Sequence, residues 1–445
     1  MVATTHRRWL LLPVRRLPSR QPMKTPVCIP IPTRNRARLP RCHLSRSSDP
    51  TPTSEAQATD SLRVAFACGG AGGHVYAAFA LAEEVQASLP GSRSLFLGAP
   101  APSLESATAA SSSYPFAPVP PCLPRALLAA ALHLYHFRPH VLVATGGPPA
   151  LPSCLAALLL GLPFVIQDQD AGPAPATRLL APLSRRVFLA FNAPVRLLPK
   201  RKCAVYGNPV RMSIRNRRMS KAAAMARFFP RAGLVEAEGM EVVLVLAGTV
   251  GSPQINVAVL NMYYEMLSRR KNRYIIWQTG PEDFCEMESL VRAHRRLFLT
   301  PFLHEMDMTY AATDVVVSRA GSVACTEILV TGKPAILIPL PTIVDDHQTK
   351  NAYIMADVMG ARVITEDELD SSSLTCIIDE IVGHLLKYCR VWETQHQGAR
   401  DAPLFGSVRG EETHESYLYD MVMFTQVRAA EKRNALRLAG FAHSM

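Results

Sequence analysis

Two glycine-rich turns in this sequence have the residue types that bind phosphate groups. The first, Gly69-Gly70-Ala71-Gly72-Gly73-His74, follows the apolar run Val64–Ala67 and precedes a helix-forming stretch. It fits neither G-x-G-x-x-G, because Val75 replaces the last glycine, nor a Walker A loop. Four glycines before a helix allow close backbone approach and leave N–H groups free at the positive helix end. This arrangement suits a pyrophosphate or a substrate oxygen; tight packing of the loop on a sheet is the alternative.

The second turn, Gly248-Thr249-Val250-Gly251-Ser252, adds hydroxyl groups to the same geometry. It predicts a second anion cradle, and both cradles are expected to open toward one cleft. His74, at the exit of the first turn, is placed where its side chain can face that cleft. The sequence leaves a catalytic and a purely structural role for this histidine equally open.

The segment Ser318–Glu327 follows a buried strand and places Gly321 and Ser322 at a turn. Glu327 then lies one or two turns into a helix, where a carboxylate can accept two hydrogen bonds from a ribose diol. As an alternative, Glu327 is a solvated acid favoured by the helix dipole. The polar run 345–352 follows a later strand, at the edge where open α/β sheets bind ligands.

Asp168-Gln169-Asp170 imitates the D-x-D metal signature of another class of sugar transferases. Because it follows a buried strand, we expect both acids to be exposed to the cleft. The pair has two interpretations, a metal site or two acceptors that orient hydroxyl groups. The second is favoured, so no metal or other cofactor is assigned.

Strands and helices alternate along the chain, which indicates parallel sheets with helices on both faces. Two such series occur, so the fold class is α/β with two doubly wound, Rossmann-like units. The predicted strands are Val64–Ala67, Ser94–Leu97, Val141–Ala144, Phe164–Ile166, Val242–Leu246, Tyr274–Trp277, Val315–Val317 and Ala335–Ile338. The predicted organisation is a tail at 1–60, a first domain at 61–210, a linker at 211–238, a second domain at 239–370, and C-terminal helices or tail at 371–445, with a terminal helix at 416–438.

Composition supports a globular protein, since 48% of the residues are hydrophobic and 19% are charged. No apolar run is long enough to span a bilayer. The ten cysteines include no C-x-x-C pair, so neither a zinc site nor a disulfide framework is suggested, and the pattern is typical of buried thiols in a reducing compartment.

The net charge of +12 is concentrated at the N-terminus. Residues 1–60 hold eleven Lys and Arg against three Asp and Glu, whereas the rest holds thirty-seven against thirty-three. The basic character therefore gives no reason to expect nucleic acid binding. The tail is rich in Arg, Ser, Thr and Pro and has no acid before Asp49, which is typical of an organelle transit peptide. A basic arm that stays on the protein is the alternative.

Taken together, the chain resembles the MurG family over residues 62–366. The resemblance is carried by eight motifs in order: Gly69–His74, Thr145-Gly146-Gly147, Asp168-Gln169-Asp170, Gly207-Asn208-Pro209-Val210-Arg211, Gly248-Thr249, Arg319-Ala320-Gly321-Ser322, Glu327 and Asp345-Asp346-His347-Gln348-Thr349. It implies a GT-B fold and an inverting transfer of N-acetylglucosamine from UDP-GlcNAc to a lipid-linked muramyl-peptide of the peptidoglycan pathway.

The resemblance also implies roles for individual residues. The glycine loop with Ala71, Gly72 and Gly73 would face the donor and acceptor phosphates, and His74 would deprotonate the acceptor, with Asp168 or Asp170 as the other candidate bases. The donor's contacts would be Arg211 and Thr249 for the pyrophosphate, Leu303 for the uracil, Ser322, Val323, Ala324, Cys325, Thr326 and Glu327 for the phosphate and ribose, and Gln348 and Asp170 for the sugar.

Some residues depart from the family pattern. Ala71 stands where the family usually has Thr, and Asp170 where it has Asn. Two rivals therefore stay open: a plastid galactolipid synthase using UDP-galactose and diacylglycerol, and a non-catalytic scaffold that binds UDP. The glycine loop counts against the first rival, and retention of Glu327, Arg211 and Gln348 counts against the second.

A transit peptide on such an enzyme predicts a plastid location, peripheral on the inner envelope, ahead of a mitochondrial one. A lipid-linked acceptor implies contact with a membrane surface. The apolar segment Leu123–Phe137, which includes Arg125 and His133, is the predicted contact, and an ordinary half-buried helix explains it equally well.

Overall fold

The computed structural model describes residues 61–383 except 71, 217–218, 232–238 and 342–345. The predicted transit peptide, Ala71, Asp345 and the terminal helix at 416–438 lie outside the described residues. Both sheets belong to the same compact unit of the chain.

The first sheet has seven strands, all paired in parallel, in the order β3-β2-β1-β4-β5-β6-β7. Its strands are β1 Arg63–Cys68, β2 Arg93–Gly98, β3 Phe116–Pro118, β4 Val141–Gly146, β5 Phe164–Asp168, β6 Arg186–Leu189 and β7 Cys203–Val205. The α-helices between them are α1 Gly72–Ser88, α2 Leu104–Ser111, α3 Leu123–Phe137, α4 Ala150–Leu159 and α5 Pro175–Leu180.

The second sheet has six parallel strands in the order β10-β9-β8-β11-β12-β13. They are β8 Glu241–Leu246, β9 Arg273–Gln278, β10 Leu297–Thr300, β11 Val315–Ser318, β12 Ala335–Leu337 and β13 Arg362–Val363. The helices of this half and of the connecting segment are α6 Met212–Arg215, α7 Lys221–Phe228, α8 Pro253–Arg269, α9 Phe284–Leu290, α10 Met306–Ala312, α11 Ser322–Thr331, α12 His347–Met359 and α13 Ser371–Gly383.

The central strands are apolar along their whole length because both faces of each sheet are covered. In β8, Val242 and Leu244 pack into one apolar cluster, whereas Val243 and Val245 pack into another on the opposite face. This two-residue alternation buries every side chain of the strand beyond Glu241. The fold class predicted from the sequence is confirmed.

In each sheet, the direction in which successive strands are added reverses beside the strand that comes first in the sequence. Strand β1 lies between β2 and β4, and β8 lies between β9 and β11. In open parallel sheets, ligands bind at such switch points, outside the carboxyl ends of the strands. The loops after β1, β4 and β5, and those after β8, β11 and β12, are therefore the segments that position a site.

Differences from the sequence prediction are confined to short elements and one helix end. Five strands of four residues or fewer, β3, β6, β7, β10 and β13, were not predicted. Helix α1 begins at Gly72, within the glycine-rich turn that was expected to precede it. Among the helices that the structure describes, none is long and apolar enough to cross a bilayer.

Candidate functional site

A cavity of about 700 Å³ opens where the carboxyl ends of the two sheets face each other. Its walls come from the first turns of α1, α8, α11 and α12 and from the loops that precede them. Twelve of the residues predicted from the sequence line it: Gly72, Gly73, His74, Asp170, Arg211, Thr249, Leu303, Ser322, Val323, Ala324, Glu327 and Gln348. The structure therefore brings most of the predicted site together in one place.

The two glycine turns meet across this cavity. A Cβ placed on Gly72 would lie 2.6 Å from the hydroxyl oxygen of Thr249, and one on Gly73 would lie 3.8 Å from a methyl of Val323. The prediction that both turns open toward one cleft agrees with this geometry. Ala71 lies outside the described residues.

Helix α11 presents unpaired backbone donors to the cavity. Its first intrahelical hydrogen bond runs from the Cys325 N–H to the Gly321 carbonyl, so the N–H groups of Ser322, Val323 and Ala324 have no partner within the helix. All three residues line the cavity. Free N–H groups at the positive end of a helix form a site for a phosphate.

Helix α8 contributes a second N-terminus on the same wall. Ser252 caps it by accepting a hydrogen bond from the Ile255 N–H, and Pro253 follows at the start of the helix. The buried Arg319 donates to the hydroxyl of Ser252, to the Ile338 carbonyl and to the Glu366 carboxylate. Arg319 therefore fixes the start of α8 against the strands β11 and β12.

A cluster of four side chains forms the charged part of the cavity wall. Arg211 donates from Nη2 and Nε to the same Glu327 oxygen, at 2.8 and 3.2 Å. The other Glu327 oxygen accepts from the Tyr310 hydroxyl at 3.3 Å. The Arg211 guanidinium also lies over the ring of Tyr76, 4.5 Å from its centroid.

The electrostatics of this cluster favour its charged pair. Burial opposes the charge of Arg211, but Glu327 outweighs it and the pKa of Arg211 lies above its ordinary value. Burial raises the pKa of Tyr76 to about 12, with Glu327 adding to the shift and Arg211 opposing it. Burial likewise raises the pKa of Tyr310. Both phenols are therefore neutral at physiological pH.

Glu327 and Arg211 thus contact each other directly. Oε1 of Glu327 already accepts two hydrogen bonds from Arg211, whereas Oε2 accepts one, from Tyr310, and keeps a second lone pair. One ribose hydroxyl can therefore donate to Oε2 without breaking this pairing. The alternative in which Glu327 is a solvated surface acid is wrong, because the residue is 4% exposed.

His74 lines the cavity from the other half. Its Nδ1 lies 3.2 Å from Oε1 of Gln169, and no described residue bonds to its Nε2. The Thr145 hydroxyl donates to the His74 carbonyl at 2.8 Å. The imidazole is therefore held at Nδ1, and its Nε2 is available to contact a substrate.

The structure corrects the role predicted for Asp168. This carboxylate is 5% exposed and does not line the cavity. It accepts hydrogen bonds from the backbone N–H groups of Asp170 and Ala174, at 3.4 and 3.2 Å. Asp168, at the end of β5, therefore holds the following loop and does not line the cavity.

Cys325 and Thr326 also face away from the cavity. Cys325 is buried in an apolar cluster. The Thr326 hydroxyl donates to the Ser322 carbonyl and accepts from the Asn208 amide at 3.2 Å. Both were predicted to contact phosphate or ribose, and the periodicity of α11 instead turns them into the protein.

Asp170 lies on the cavity wall, where it joins the two halves. Its Oδ1 accepts from the Asn351 amide at 3.3 Å, and its Oδ2 lies 4.0 Å from Nε2 of His347. The Asn351 amide oxygen in turn accepts from the Ala171 N–H. Nearby, Oε1 of Gln348 accepts from the Leu340 N–H at 3.0 Å, which leaves the Gln348 amide nitrogen for a sugar hydroxyl.

Apolar side chains line one part of the cavity. Leu303, 6% exposed, lies there with Phe302 and Met306. Gln278, at the carboxyl end of β9, accepts from the Leu303 N–H at 2.9 Å and donates to the Gly248 carbonyl at 2.8 Å. Gln278 was not predicted, although its place at a strand end in the second half was a signal for it.

The two acids of the D-x-D pattern have separate protein partners: Asp168 accepts from the Ala174 N–H, and Asp170 accepts from the Asn351 amide. Among the described residues, no three His, Cys, Asp or Glu side chains are grouped to hold a metal ion.

Comparisons with known proteins agree with this geometry. Residues 64–189 match the glycosyltransferase family 28 N-terminal domain, and residues 242–402 match its C-terminal domain. A Salinibacter ruber protein named UDP-N-acetylglucosamine–N-acetylmuramyl-(pentapeptide) pyrophosphoryl-undecaprenol N-acetylglucosamine transferase is 34% identical over 75% of this chain and 91% of its own. A protein of the same name from Anaeromyxobacter sp. (strain K) is 31% identical over 72% of this chain and 85% of its own. Another from Flavobacterium psychrophilum is 30% identical over 68% of this chain and 84% of its own.

Solved structures share the fold at lower identity. Acinetobacter baumannii MurG superposes with a TM-score of 0.53 at 21% identity, covering 76% of this chain and 95% of its own. The UDP-GlcNAc 2-epimerase of Neisseria meningitidis, bound to UDP-GlcNAc, gives 0.54 at 12% identity, over 81% and 100%. With both family 28 domains present and relatives above 30% identity over two thirds of its length, the chain belongs to the MurG family of glycosyltransferases.

Proposed function

We propose that the protein transfers N-acetylglucosamine from UDP-GlcNAc to a lipid-linked muramyl-peptide, a step of peptidoglycan precursor synthesis. One observation carries the proposal: the free N–H groups of Ser322, Val323 and Ala324 in the second half of the chain and the side chain of His74 in the first half line the same cavity. A donor whose phosphate binds these N–H groups would have its sugar in the cavity that His74 lines. The names of the curated relatives supply the sugar and the acceptor.

The transfer is a single displacement with inversion. The acceptor hydroxyl attacks the anomeric carbon, forming the new glycosidic bond while the bond from that carbon to the UDP oxygen breaks. His74 takes the hydroxyl proton through Nε2. The charge that develops on the leaving diphosphate is stabilised by the N-termini of α11 and α8 and by the nearby Arg211.

The test is turnover by the purified full chain with UDP-GlcNAc and a lipid-linked muramyl-peptide, followed as UDP release and as product mass. We expect a product that is heavier than the acceptor by one N-acetylhexosamine residue. Transfer from UDP-galactose to diacylglycerol would instead favour the galactolipid rival. Tight UDP binding with no turnover of any sugar nucleotide would favour the non-catalytic scaffold.

A peripheral membrane contact is the second part of the proposal. Helix α3 buries Ala126, Ala130 and Leu134 on one face. On its other face Leu128, Leu132 and Tyr135 are 63%, 50% and 59% exposed. This pattern, with basic residues in the same half, suits a helix that lies on an anionic lipid surface near the acceptor.

Vesicle co-sedimentation with anionic phospholipid tests this contact. We expect Leu128→Glu combined with Leu132→Glu to reduce the bound fraction, while activity on a short-chain soluble acceptor is kept. Leu290→Glu, at an exposed leucine of the second half, is the matched control. Equal binding of both variants would contradict the assignment of α3.

The plastid location is a proposal that rests on residues 1–60, whose composition is typical of a transit peptide. Import of a fluorescent reporter fused to these residues, into isolated plastids and into mitochondria, tests it. We expect import and cleavage in plastids alone. Uptake only by mitochondria, or by neither organelle, would contradict the location.

A further inference from the structure

Gln169 connects the histidine of the cavity to the backbone of a neighbouring strand. It follows β5 directly, and it is 2% exposed. Its amide nitrogen donates to the Thr145 carbonyl at 2.9 Å, and its amide oxygen lies 3.2 Å from Nδ1 of His74. One buried side chain thus makes both contacts.

The chemistry of these three groups fixes where the protons are. A backbone carbonyl oxygen can only accept, so the NH₂ end of the Gln169 amide must face Thr145. The oxygen end therefore faces His74, and since that oxygen can only accept, Nδ1 of His74 must carry the hydrogen. A neutral imidazole has one N–H, so Nε2 has the free lone pair.

Close packing keeps the ring in this orientation. A Cβ at Gly146 would lie 2.5 Å from Nδ1 of His74 and 2.6 Å from its Cε1. Gly146 has φ of +119°, a conformation that glycine adopts without strain. The imidazole therefore occupies space that any side chain at position 146 would fill.

We propose that Gln169 is a positioning residue that holds His74 in the Nδ1–H tautomer, so that Nε2 is the nitrogen that accepts the acceptor's proton. The proposal rests on the role of His74 proposed above. The neutral Gln169 amide orients the ring without adding a charge beside it. When Nε2 takes the proton, the bond from Nδ1 to the Gln169 oxygen is kept.

The tautomer can be measured directly by ¹⁵N NMR of the full chain labelled at the histidine imidazoles. His74 is assigned by the signals that disappear in His74→Asn. At a pH where the ring is neutral, we expect a protonated Nδ1 and an unprotonated Nε2 in the wild type. In Gln169→Leu we expect averaging between the two tautomers. A wild type with the hydrogen on Nε2 would overturn the proposal.

Kinetics then separate positioning from general packing. Gln169→Leu should lower kcat by about tenfold or more, but by no more than the roughly 10²–10⁴-fold loss expected when the general base itself is removed, with KM for UDP-GlcNAc unchanged. Gln169→Glu keeps an acceptor for Nδ1 but adds a charge, so it should restore the tautomer and move the acidic limb of the kcat/KM profile to higher pH. Gln167→Leu, at a buried glutamine of β5, should change neither quantity.

The two possible failures are distinguishable. If the tautomer is as expected and Gln169→Leu leaves kcat unchanged, the proton-accepting role of His74 is refuted and the tautomer assignment stands. If Gln167→Leu reproduces the loss seen with Gln169→Leu, the effect is one of packing and the positioning role is refuted.

Discussion

The guanidinium of Arg211 lies 2.8 Å from the carboxylate of Glu327, and their side chains are only 13% and 6% exposed. Arg211 precedes α6 in the segment that connects the two sheets, whereas Glu327 lies within α11 of the second half. Removing one partner of such a buried pair leaves an uncompensated charge. The packing of the connecting segment against α11 therefore depends on this ion pair, and so would the binding of a donor that contacts either residue.

Glu327→Gln should weaken UDP binding by about 1.5–3 kcal/mol, the range for a lost hydrogen bond to a charged group. The physical reason is that a neutral amide accepts less strongly from ribose and no longer neutralises Arg211. Titration calorimetry with UDP measures the affinity, and KM for UDP-GlcNAc should rise in parallel. Glu305→Gln, in an exposed ion pair with Arg227, is the control and should change neither value. An unchanged UDP affinity in Glu327→Gln would remove this residue from the donor site.

His74→Ala should lower kcat by roughly 10²–10⁴ because the proton acceptor is lost. UDP affinity should change little, since the backbone donors of α11 and α8 are untouched. Steady-state kinetics with the lipid-linked acceptor checks the first expectation, and calorimetry checks the second. A loss below about tenfold would make His74 a positioning residue and leave Asp170, which lines the cavity, as the candidate base.

Asp170→Asn should preserve or raise kcat/KM for UDP-GlcNAc. Asp170 accepts a hydrogen bond from the Asn351 amide at 3.3 Å. An asparagine at position 170 keeps an oxygen for this bond and adds an N–H donor toward the cavity. Asp170→Ala has no acceptor at this position and should lower kcat/KM for UDP-GlcNAc. The measurement is kcat/KM for UDP-GlcNAc, UDP-glucose and UDP-galactose in all three proteins. A wild type that prefers UDP-galactose would contradict the assignment of the sugar.

Asp168→Asn should change how stability depends on pH. Burial raises the pKa of the Asp168 carboxyl, hydrogen bonds from Thr177 and two backbone N–H groups oppose the shift, and the charge of Asp170 adds to it. The folded carboxyl therefore keeps its proton above about pH 3.9, where the unfolded one has lost it. The folded state then binds more protons, so this group's contribution to stability falls as pH rises from about 4 to the folded pKa, and is constant above it.

The measurement is the urea midpoint of wild type and Asp168→Asn at several values between pH 4 and pH 8. The free energy of unfolding of the variant, relative to wild type, should increase with pH across the lower part of this range. A constant offset from lost hydrogen bonds does not affect that slope. For the control Glu305→Gln, the free energy of unfolding relative to wild type should not change with pH. If this relative free energy stays constant or decreases with pH for Asp168→Asn, the raised pKa of Asp168 is contradicted.

The main parts of the site could be predicted from the sequence because the fold itself places them. Glycine turns and polar clusters that follow apolar strands must meet at the carboxyl edge of a parallel sheet. This rule located His74, Thr249 and Ser322 on one cavity. It also located Glu327, because the helix period brings residue 327 to the same face as residue 323.

The helix period and the alternation of side chains along a strand also explain which site residues were predicted wrongly. Cys325 and Thr326 lie on the buried side of α11, which the helix period indicates once the helix start at Ser322 is known. Asp168 ends β5 with its side chain inward, and only the next residues turn into the loop. The contacts of Gln169 and Gln278 could not be predicted, because their hydrogen-bond partners are distant in sequence and have no residue signature.

The glycine turns also restrict how this sequence can change. A Cβ at Gly147 would lie 1.9 Å from the carbonyl oxygen of Gly69, and φ at Gly147 is +83°. The obstacle is main chain, so no rotamer change of a neighbour can make room for a larger residue. The loops after β1 and β4 therefore cross at a point where a substitution in one is not tolerated unless the other changes its path. Sequence change at this crossing therefore requires coupled substitutions in two segments that are distant in the chain. In a random mutagenesis screen, single substitutions at Gly147 should be found among the variants that fail to fold.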